Sequence, residues 1–237
     1  MVVPGLLDLC PFDLWPPQAQ CVIALDPALL AVLKTGAPQR STGLAAHAAP
    51  QRRLEYLASR AGAAALLRAQ GAASVEVTNG FDRAPVWPQG FTGSITHSPL
   101  LACVAVQPLA ACASMGLDAQ TILDDEAARD VSRHCLRADE MRACVVNEPL
   151  CDRTLLTLMF SAKEAFFKCV YPLVRKHFDY TGVQVSSVAD GRVHVRVLDS
   201  PGDHLPAGFM LEGSFQLAQG HAFTAFELCA GTLESPV

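Results

Sequence analysis

Helical spacing of apolar residues marks one early segment of the chain, and two-residue alternation dominates its last third. Over 51–69, Leu54, Leu57, Ala58, Ala61 and Ala65 recur at helical spacing, which predicts an amphipathic helix. Arg53 and Arg60 share another face of that helix, and Arg52 lies on an adjacent one. Upstream, residues 1–50 are rich in Pro and Ala. They predict a strand over 21–25, a short helix with Asp26 as N-cap and Pro27 at its first position, and a loop over 36–50. Alternation predicts strands over 74–78, 92–97 and 102–107, the last two joined as a hairpin through Ser98-Pro99. A further short strand over 113–118 ends in Asp118. Helices are predicted over 124–133, 139–146 and 152–171, with Pro172 ending the last. Four alternating runs follow at 183–188, 192–198, 209–217 and 222–228, with turns at Asp190-Gly191 and Gln219-Gly220. Helices and strands that do not strictly alternate predict an α+β fold with antiparallel sheets. A division into two halves, 1–112 and 113–237, is expected.

Composition narrows the class. The chain has 237 residues, 51% apolar and 17% charged, which is a globular composition with ample core. A net charge of −5 argues against a broad basic surface, so no nucleic-acid partner is expected. The first residues lack a basic region and are interrupted by Pro4 and Pro11, so no signal peptide is read. No run of about 18 apolar residues exists, so no membrane span is expected. The nine cysteines form no C-x-x-C pair, which argues against zinc ribbons and thioredoxin chemistry. They fit a reducing, cytoplasmic setting as small buried hydrophobes.

Three segments could carry chemistry. In residues 160–168, FSAKEAFFK, a polar stripe of Ser161, Glu164 and Lys168 runs beside an apolar stripe of Met159, Ala162, Phe166 and Val170. Lys163 flanks the polar stripe. One reading is a solvated face with a Glu164–Lys168 ion pair. The other is a carboxylate for a metal flanked by two cations for phosphate oxygens. In 115–120, MGLDAQ, a strand ends in Asp118, which is either a plain strand-end acid or a second oxygen ligand for Mg²⁺. In 87–98, WPQGFTGSITHS, a Ser94/His97 nucleophile pair is disfavoured. Alternation sends the two side chains to opposite faces, and no G-x-S-x-G elbow is present.

These segments, with QRRLEYLASR at 51–60 and DRAPVWPQGFTGSITHS at 82–98, occur in one order that resembles the 4′-phosphopantetheinyl transferases. The resemblance is to the large, monomeric, surfactin-synthetase-activating type, above all to the branch of enterobactin synthetase component D associated with siderophore synthesis. It covers residues 50–180 well. The family's [WF]-S-x-K-E-[AS]-x-x-K element is complete here, and its G-[IV]-D-x-E element is partly kept. The resemblance implies an α+β fold of two similar, pseudo-twofold-related halves with coenzyme A bound between them. It implies Mg²⁺-dependent transfer of the 4′-phosphopantetheine arm to a serine of an apo acyl or peptidyl carrier protein, with release of 3′,5′-ADP. Such carriers serve fatty-acid, polyketide, nonribosomal-peptide or siderophore synthesis.

Carried over residue by residue, Asp118 and Glu164 match metal-binding acids, and Lys163 and Lys168 match lysines near the pyrophosphate. His97, with Thr96 before it, matches a histidine on a coenzyme A phosphate. Arg83 through Pro85 match the segment lining the adenine and 3′-phosphate. Arg52, Arg53 and Arg60 lie in the basic helix near the 3′-phosphate. Glu140 matches a glutamate that acts as a base or supports one. The acceptor of the serine proton stays open among Glu164, Glu140 and a metal-bound water. The first half is thus expected to hold the adenine and 3′-phosphate. The second is expected to hold Mg²⁺, the pyrophosphate and the docked carrier, with exposed apolar residues in 135–146 as contacts. Alternatives are a catalytically weakened coenzyme A- or carrier-binding homologue and an unrelated α+β scaffold.

Two departures matter. Gln120 stands where the family often has Glu, and an amide carbonyl is a weaker Mg²⁺ ligand than a carboxylate. Ala64 stands where many relatives carry a further Arg one turn after Arg60. Gln120→Glu is expected to lower the Mg²⁺ concentration needed for half-maximal activity. An unchanged Mg²⁺ titration would count against a ligand role for position 120.

Overall fold

Two antiparallel sheets, each with a long helix on one face, organise the chain. The structure is a computed structural model that describes residues 5–29, 31, 33, 48–202 and 205–229. It divides into two units, Met1–Cys10 with Trp15–Cys112, and Pro11–Leu14 with Ala113–Val237.

In the first unit, β1 (Leu6–Leu7) and β2 (Gln20–Ala24) precede helix α1 (Pro50–Ala69). The short strands β3 (Thr78–Asn79) and β4 (Pro85–Val86) form a separate hairpin. β5 (Phe91–His97) and β6 (Leu101–Pro108) complete a sheet of order β1-β2-β6-β5. Pro50 starts α1 at a position where its missing N–H costs nothing. Leu54, Ala58, Ala63 and Leu67 of α1 then pack on Ile23, Val104 and Val106 of the sheet. Asp26 accepts from the Ala28 N–H (2.8 Å), as a cap does. Most of the helix it was expected to open, and 36–47 of the expected loop, lie outside the described residues.

The second unit starts with β7 (Ser114–Thr121), α2 (Asp125–His134), the single turn α3 (Glu140–Ala143) and β8 (Val145–Val146). Helix α4 (Asp152–Val174) follows, then β9 (Val183–Ala189), β10 (Arg192–Val197), β11 (Met210–Ala218) and β12 (His221–Leu228). The sheet order is β7-β12-β11-β10-β9-β8, antiparallel except for β8 on β9. Asp190-Gly191 and Gln219-Gly220 have left-handed φ at both residues, as the two-residue hairpins require. The apolar stripe of α4, with Leu158, Met159, Ala162, Phe166 and Val170, packs on Val185, Val193, Val195 and Phe226. Phe12 is buried and sits edge-on against Phe223, 5.9 Å between ring centroids.

Four elements differ from their sequence expectation. The 74–78 strand shrinks to β3, because only Thr78 and Asn79 find a partner, in β4. The 139–146 helix is one turn, because Val145 and Val146 pair with Ser187 and Val188 instead. Pro172 lies inside α4, in its last turn, and the helix ends at Arg175 with φ 48°. Asp118 is not at a strand end: β7 runs on to Thr121 because β12 pairs with it throughout, Asp118 opposite Thr224.

Gly116 fixes how closely α4 lies on β7. A Cβ there would stand 2.0 Å from the Ala165 carbonyl oxygen and 2.4 Å from the Cys169 nitrogen. Both are helix backbone, so no side-chain rotation relieves the clash. Ser114, two residues before, donates to the Cys169 carbonyl at 2.5 Å. Gly116→Ala is expected to cost about 3 kcal/mol, read as a fall in the urea midpoint. An unchanged midpoint would mean that α4 is not seated on β7 at this distance.

Candidate active site

The close seating of α4 brings two of its side chains to one strand residue. Side chains alternate along β7, so Ser114, Gly116, Asp118 and Gln120 share the face toward α4. The Ser161 hydroxyl donates to Asp118 Oδ2 (2.9 Å) and is also 2.9 Å from the Thr224 hydroxyl on β12. Lys168 Nζ donates to Asp118 Oδ1 (2.7 Å) and to the Leu117 carbonyl (3.2 Å). Asp118 is thus a buried carboxylate with a donor on each oxygen, one of them charged. Glu164 lies on the helix between Ser161 and Lys168, and its Oε1 accepts from the Tyr180 hydroxyl. Burial, and then the Glu164 carboxylate, push the Tyr180 phenol well above its usual range and keep it a donor. The ion pair Lys168 makes runs across to β7, which sets aside the solvated-face reading of the helix. Gln120 donates to the Thr121 carbonyl at 3.4 Å and is partly exposed.

Lys163 is placed elsewhere. Its side chain and that of Glu140 are both fully buried, with Nζ 2.7 Å from Glu140 Oε2. Nζ also donates to the Cys135 carbonyl (2.9 Å) and the Tyr180 carbonyl (3.0 Å), which uses all three of its N–H bonds. Burial lowers the Lys163 pKa from the ordinary lysine value, and Glu140 opposes that shift. Glu140 takes the Val185 N–H on Oε1 (2.8 Å) and the Arg137 N–H on Oε2 (3.1 Å). A lysine near the pyrophosphate and a glutamate acting as a base or supporting one were expected here. In the structure both side chains are fully buried and paired with each other.

In the first unit, α1 and the end of β5 form a second polar cluster. Glu55 Oε2 lies 3.2 Å from Arg52 Nη1 and 3.4 Å from His97 Nδ1, and Arg52 also contacts His97 Nε2. Gln51 Nε2 donates to Glu55 Oε1 (3.3 Å) and to the Pro99 carbonyl (2.9 Å), tying the helix to the β5–β6 turn. The Arg52 and His97 side chains are 55% and 35% exposed, so the Arg52 guanidinium and the imidazole beside it are open to an anion. Thr96, its side chain on the opposite face of the strand, is buried. Arg60 lies 4.7 Å over the Tyr56 ring and donates from Nη2 to Asn79. Its Nε is buried without a hydrogen-bond partner, and burial lowers its pKa. Asn79 pairs with Pro85 in the β3–β4 hairpin, whose turn holds Arg83 at φ 67°. Arg60, Arg83 and Pro85 therefore meet around one small hairpin. Arg53 is half-buried on α1.

Known families match both units. A model of the 4′-phosphopantetheinyl transferase N-terminal domain matches residues 40–107, and one of the 4′-phosphopantetheinyl transferase superfamily matches 114–220. The 4′-phosphopantetheinyl transferase Svp of Streptomyces mobaraensis is 32% identical over 197 residues, 80% of this chain and 78% of that protein. The chain belongs to the 4′-phosphopantetheinyl transferase superfamily. Enterobactin synthase component D of Escherichia coli K12 is 36% identical over 129 residues, 52% of this chain and 56% of that protein. The 4′-phosphopantetheinyl transferase PptT of Mycobacterium tuberculosis is 28% identical over 211 residues, 86% of this chain and 88% of that protein.

Sequence reasoning missed four residues that contact the expected site residues or their partners. Glu55 was readable in principle, three residues after Arg52 on the same helix. Asn79, Thr224 and Tyr180 carry no local signal, because each arrives from a distant element. Of the apolar residues in 135–146, Val145 is exposed, while Leu136 and Cys144 are buried. Among the described residues no helix is long and apolar enough to cross a membrane. The Lys163–Glu140 pair generates a stability test. Lys163→Met leaves a buried, uncompensated carboxylate and is expected to cost about 3–5 kcal/mol by urea denaturation. A loss under about 1 kcal/mol, as at an exposed pair, would place Lys163 at the surface.

Proposed function

We propose that this chain moves the 4′-phosphopantetheine arm of coenzyme A onto a serine of an apo carrier protein and releases 3′,5′-ADP. The observation that carries this reading is the Asp118 carboxylate pinned by Ser161 and Lys168, with Glu164 on the helix between them. The donor set suits Mg²⁺. Two carboxylates and the Gln120 amide are hard oxygen ligands, and Mg²⁺ takes one or two carboxylates with waters and phosphate oxygens. Among the described residues no group of three or more His, Cys, Asp or Glu could hold a metal ion, so waters and phosphate oxygens would have to complete the sphere around these two carboxylates. Bound there, Mg²⁺ would neutralise pyrophosphate charge and favour departure of 3′,5′-ADP.

The chain's own residues supply positioning and charge. The serine oxygen forms a bond to the phosphorus that carries the pantetheine arm. The bond from that phosphorus to the 3′,5′-ADP oxygen breaks. Lys168, anchored on Asp118 with its side chain 26% exposed, offers a cation to the phosphate oxygens. The serine proton needs an acceptor. Glu140 has no open face, whereas Glu164 has only Oε1 engaged by Tyr180 among its hydrogen bonds. The exposed Arg52 and His97 take the 3′-phosphate in this reading, with Arg60, Arg83 and Pro85 on the adenine side. The protein acts as a cytoplasmic monomer, and its carriers belong to siderophore or other secondary-metabolite synthesis.

The test is intact-mass analysis of an apo carrier incubated with the protein, coenzyme A and Mg²⁺. A phosphopantetheine-sized gain is expected, and it is expected to vanish with Asp118→Ala or Glu164→Ala while the fold persists. Full activity in either variant would overturn the site. Coenzyme A binding with no mass gain would instead support the weakened homologue that Gln120 suggests.

A further inference from the structure

Asp118 and Glu164 are held in different ways. Asp118 receives two donors, Ser161 and Lys168, from the helix that carries Glu164. Glu164 receives its donor from outside that helix, the Tyr180 hydroxyl. Tyr180 opens a 3-10 turn, Tyr180–Gly182, that is fixed at three points. Asp179 Oδ1 accepts from the Thr181 N–H (2.8 Å) and the Thr181 hydroxyl (2.7 Å). The Tyr180 ring lies 5.8 Å from the Phe160 ring. The Tyr180 carbonyl accepts from Lys163 Nζ at 3.0 Å.

Phe160 and Lys163 belong to α4, one turn and one residue before Glu164. The helix therefore grips the turn by its ring and its backbone, and the turn returns a hydroxyl to the helix's own carboxylate. Lys163 is rigid in this role because Glu140 and the Cys135 carbonyl hold its other two N–H bonds. A glutamate is a long side chain with several torsions to fix, and fixing them costs entropy on binding. A donor on one oxygen selects one arrangement in advance and leaves the other oxygen free.

We infer that Tyr180 is a positioning residue that fixes Glu164 with Oε2 open to the cation, and that the buried Lys163–Glu140 pair serves the site through it. This rests on the reading of Asp118 and Glu164 as the cation-binding pair. The pair conserves no charge for the phosphates; it spends its charge on the placement of a neutral hydroxyl.

The experiment measures Mn²⁺ affinity of the protein in the presence of coenzyme A by electron paramagnetic resonance of free Mn²⁺. No carrier is present, so nothing turns over. Tyr180→Phe keeps the ring on Phe160 and the backbone carbonyl on Lys163, and removes only the hydroxyl. It is expected to raise the Mn²⁺ Kd about tenfold or more, the usual scale for losing a group that orients a metal ligand. Coenzyme A affinity measured in EDTA is expected to stay at the wild-type value. A Mn²⁺ Kd within twofold of wild type would overturn the role of Tyr180 while leaving the cation pair intact. A parallel loss of coenzyme A affinity in EDTA would overturn it too, because it would show a general collapse of the site. Failure of the wild-type protein itself to bind Mn²⁺ would remove the cation pair first, and the role of Tyr180 with it.

Discussion

The missing side chain at Gly116 sets the geometry on which the second unit depends. Helix α4 meets β7 backbone to backbone, with helix atoms 2.0 and 2.4 Å from where any Cβ would stand. At that separation a serine hydroxyl from the helix can span to Oδ2 of a strand aspartate, and the Ser161–Asp118 bond at 2.9 Å is that span. A methyl group's displacement of the helix would lengthen it past hydrogen-bond reach. It would also strand a buried carboxylate, so packing and site chemistry are one constraint here. The same seating delivers Lys168 Nζ to Oδ1.

How much of this was legible follows from how local each cause is. The hairpin turns were read correctly because a left-handed residue followed by Gly is a two-residue signal with a steric cause. Helix α1 was read because its apolar period, Leu54 to Ala65, runs for about three turns. Asp118 was placed at a strand end because nothing in the sequence announces that β12 pairs with the three residues after it. Residues 139–146 have helix-compatible spacing, but an open edge of β9 captured Val145 and Val146. A tertiary partner outweighed propensity there, as it commonly does for short segments. Pro172 misled for the opposite reason. Pro172 forgoes one i→i−4 bond, to the Lys168 carbonyl, and α4 still runs two residues further before Arg175 closes it.

The two lysines of FSAKEAFFK show where sequence reading stops. Both are five or fewer residues from Glu164 and both match lysines in the motif. One keeps 26% of its side chain in solvent, and the other keeps none. What separates them is the set of acceptors around each. Lys163 meets two carbonyls and a carboxylate that lie 28, 17 and 23 residues away in the chain. Those groups are assembled by the C-terminal end of α2, the turn of α3 and the 3-10 turn after α4, the last two with no period to detect. The three phenylalanines sort in the same way. Phe166 is buried against Phe226, while Phe160 and Phe167 pack on Tyr180 and on Phe178 at the helix flank.

Charge balance gives Gln120 a physical reading. Lys168 compensates Asp118, while Glu164 accepts from the neutral Tyr180 hydroxyl. Gln120 lies on the same strand face as Asp118, two residues toward the exposed end of β7. A second acid there would repel the first by about 3 kcal/mol at about 5 Å and an effective dielectric of about 20. That repulsion disappears only when a cation is present. An amide keeps an oxygen in the same place without it, so the site stays organised before any cation arrives. The corresponding loss is in the pull on the cation itself. In the proposed reaction more of that pull would then come from the pyrophosphate.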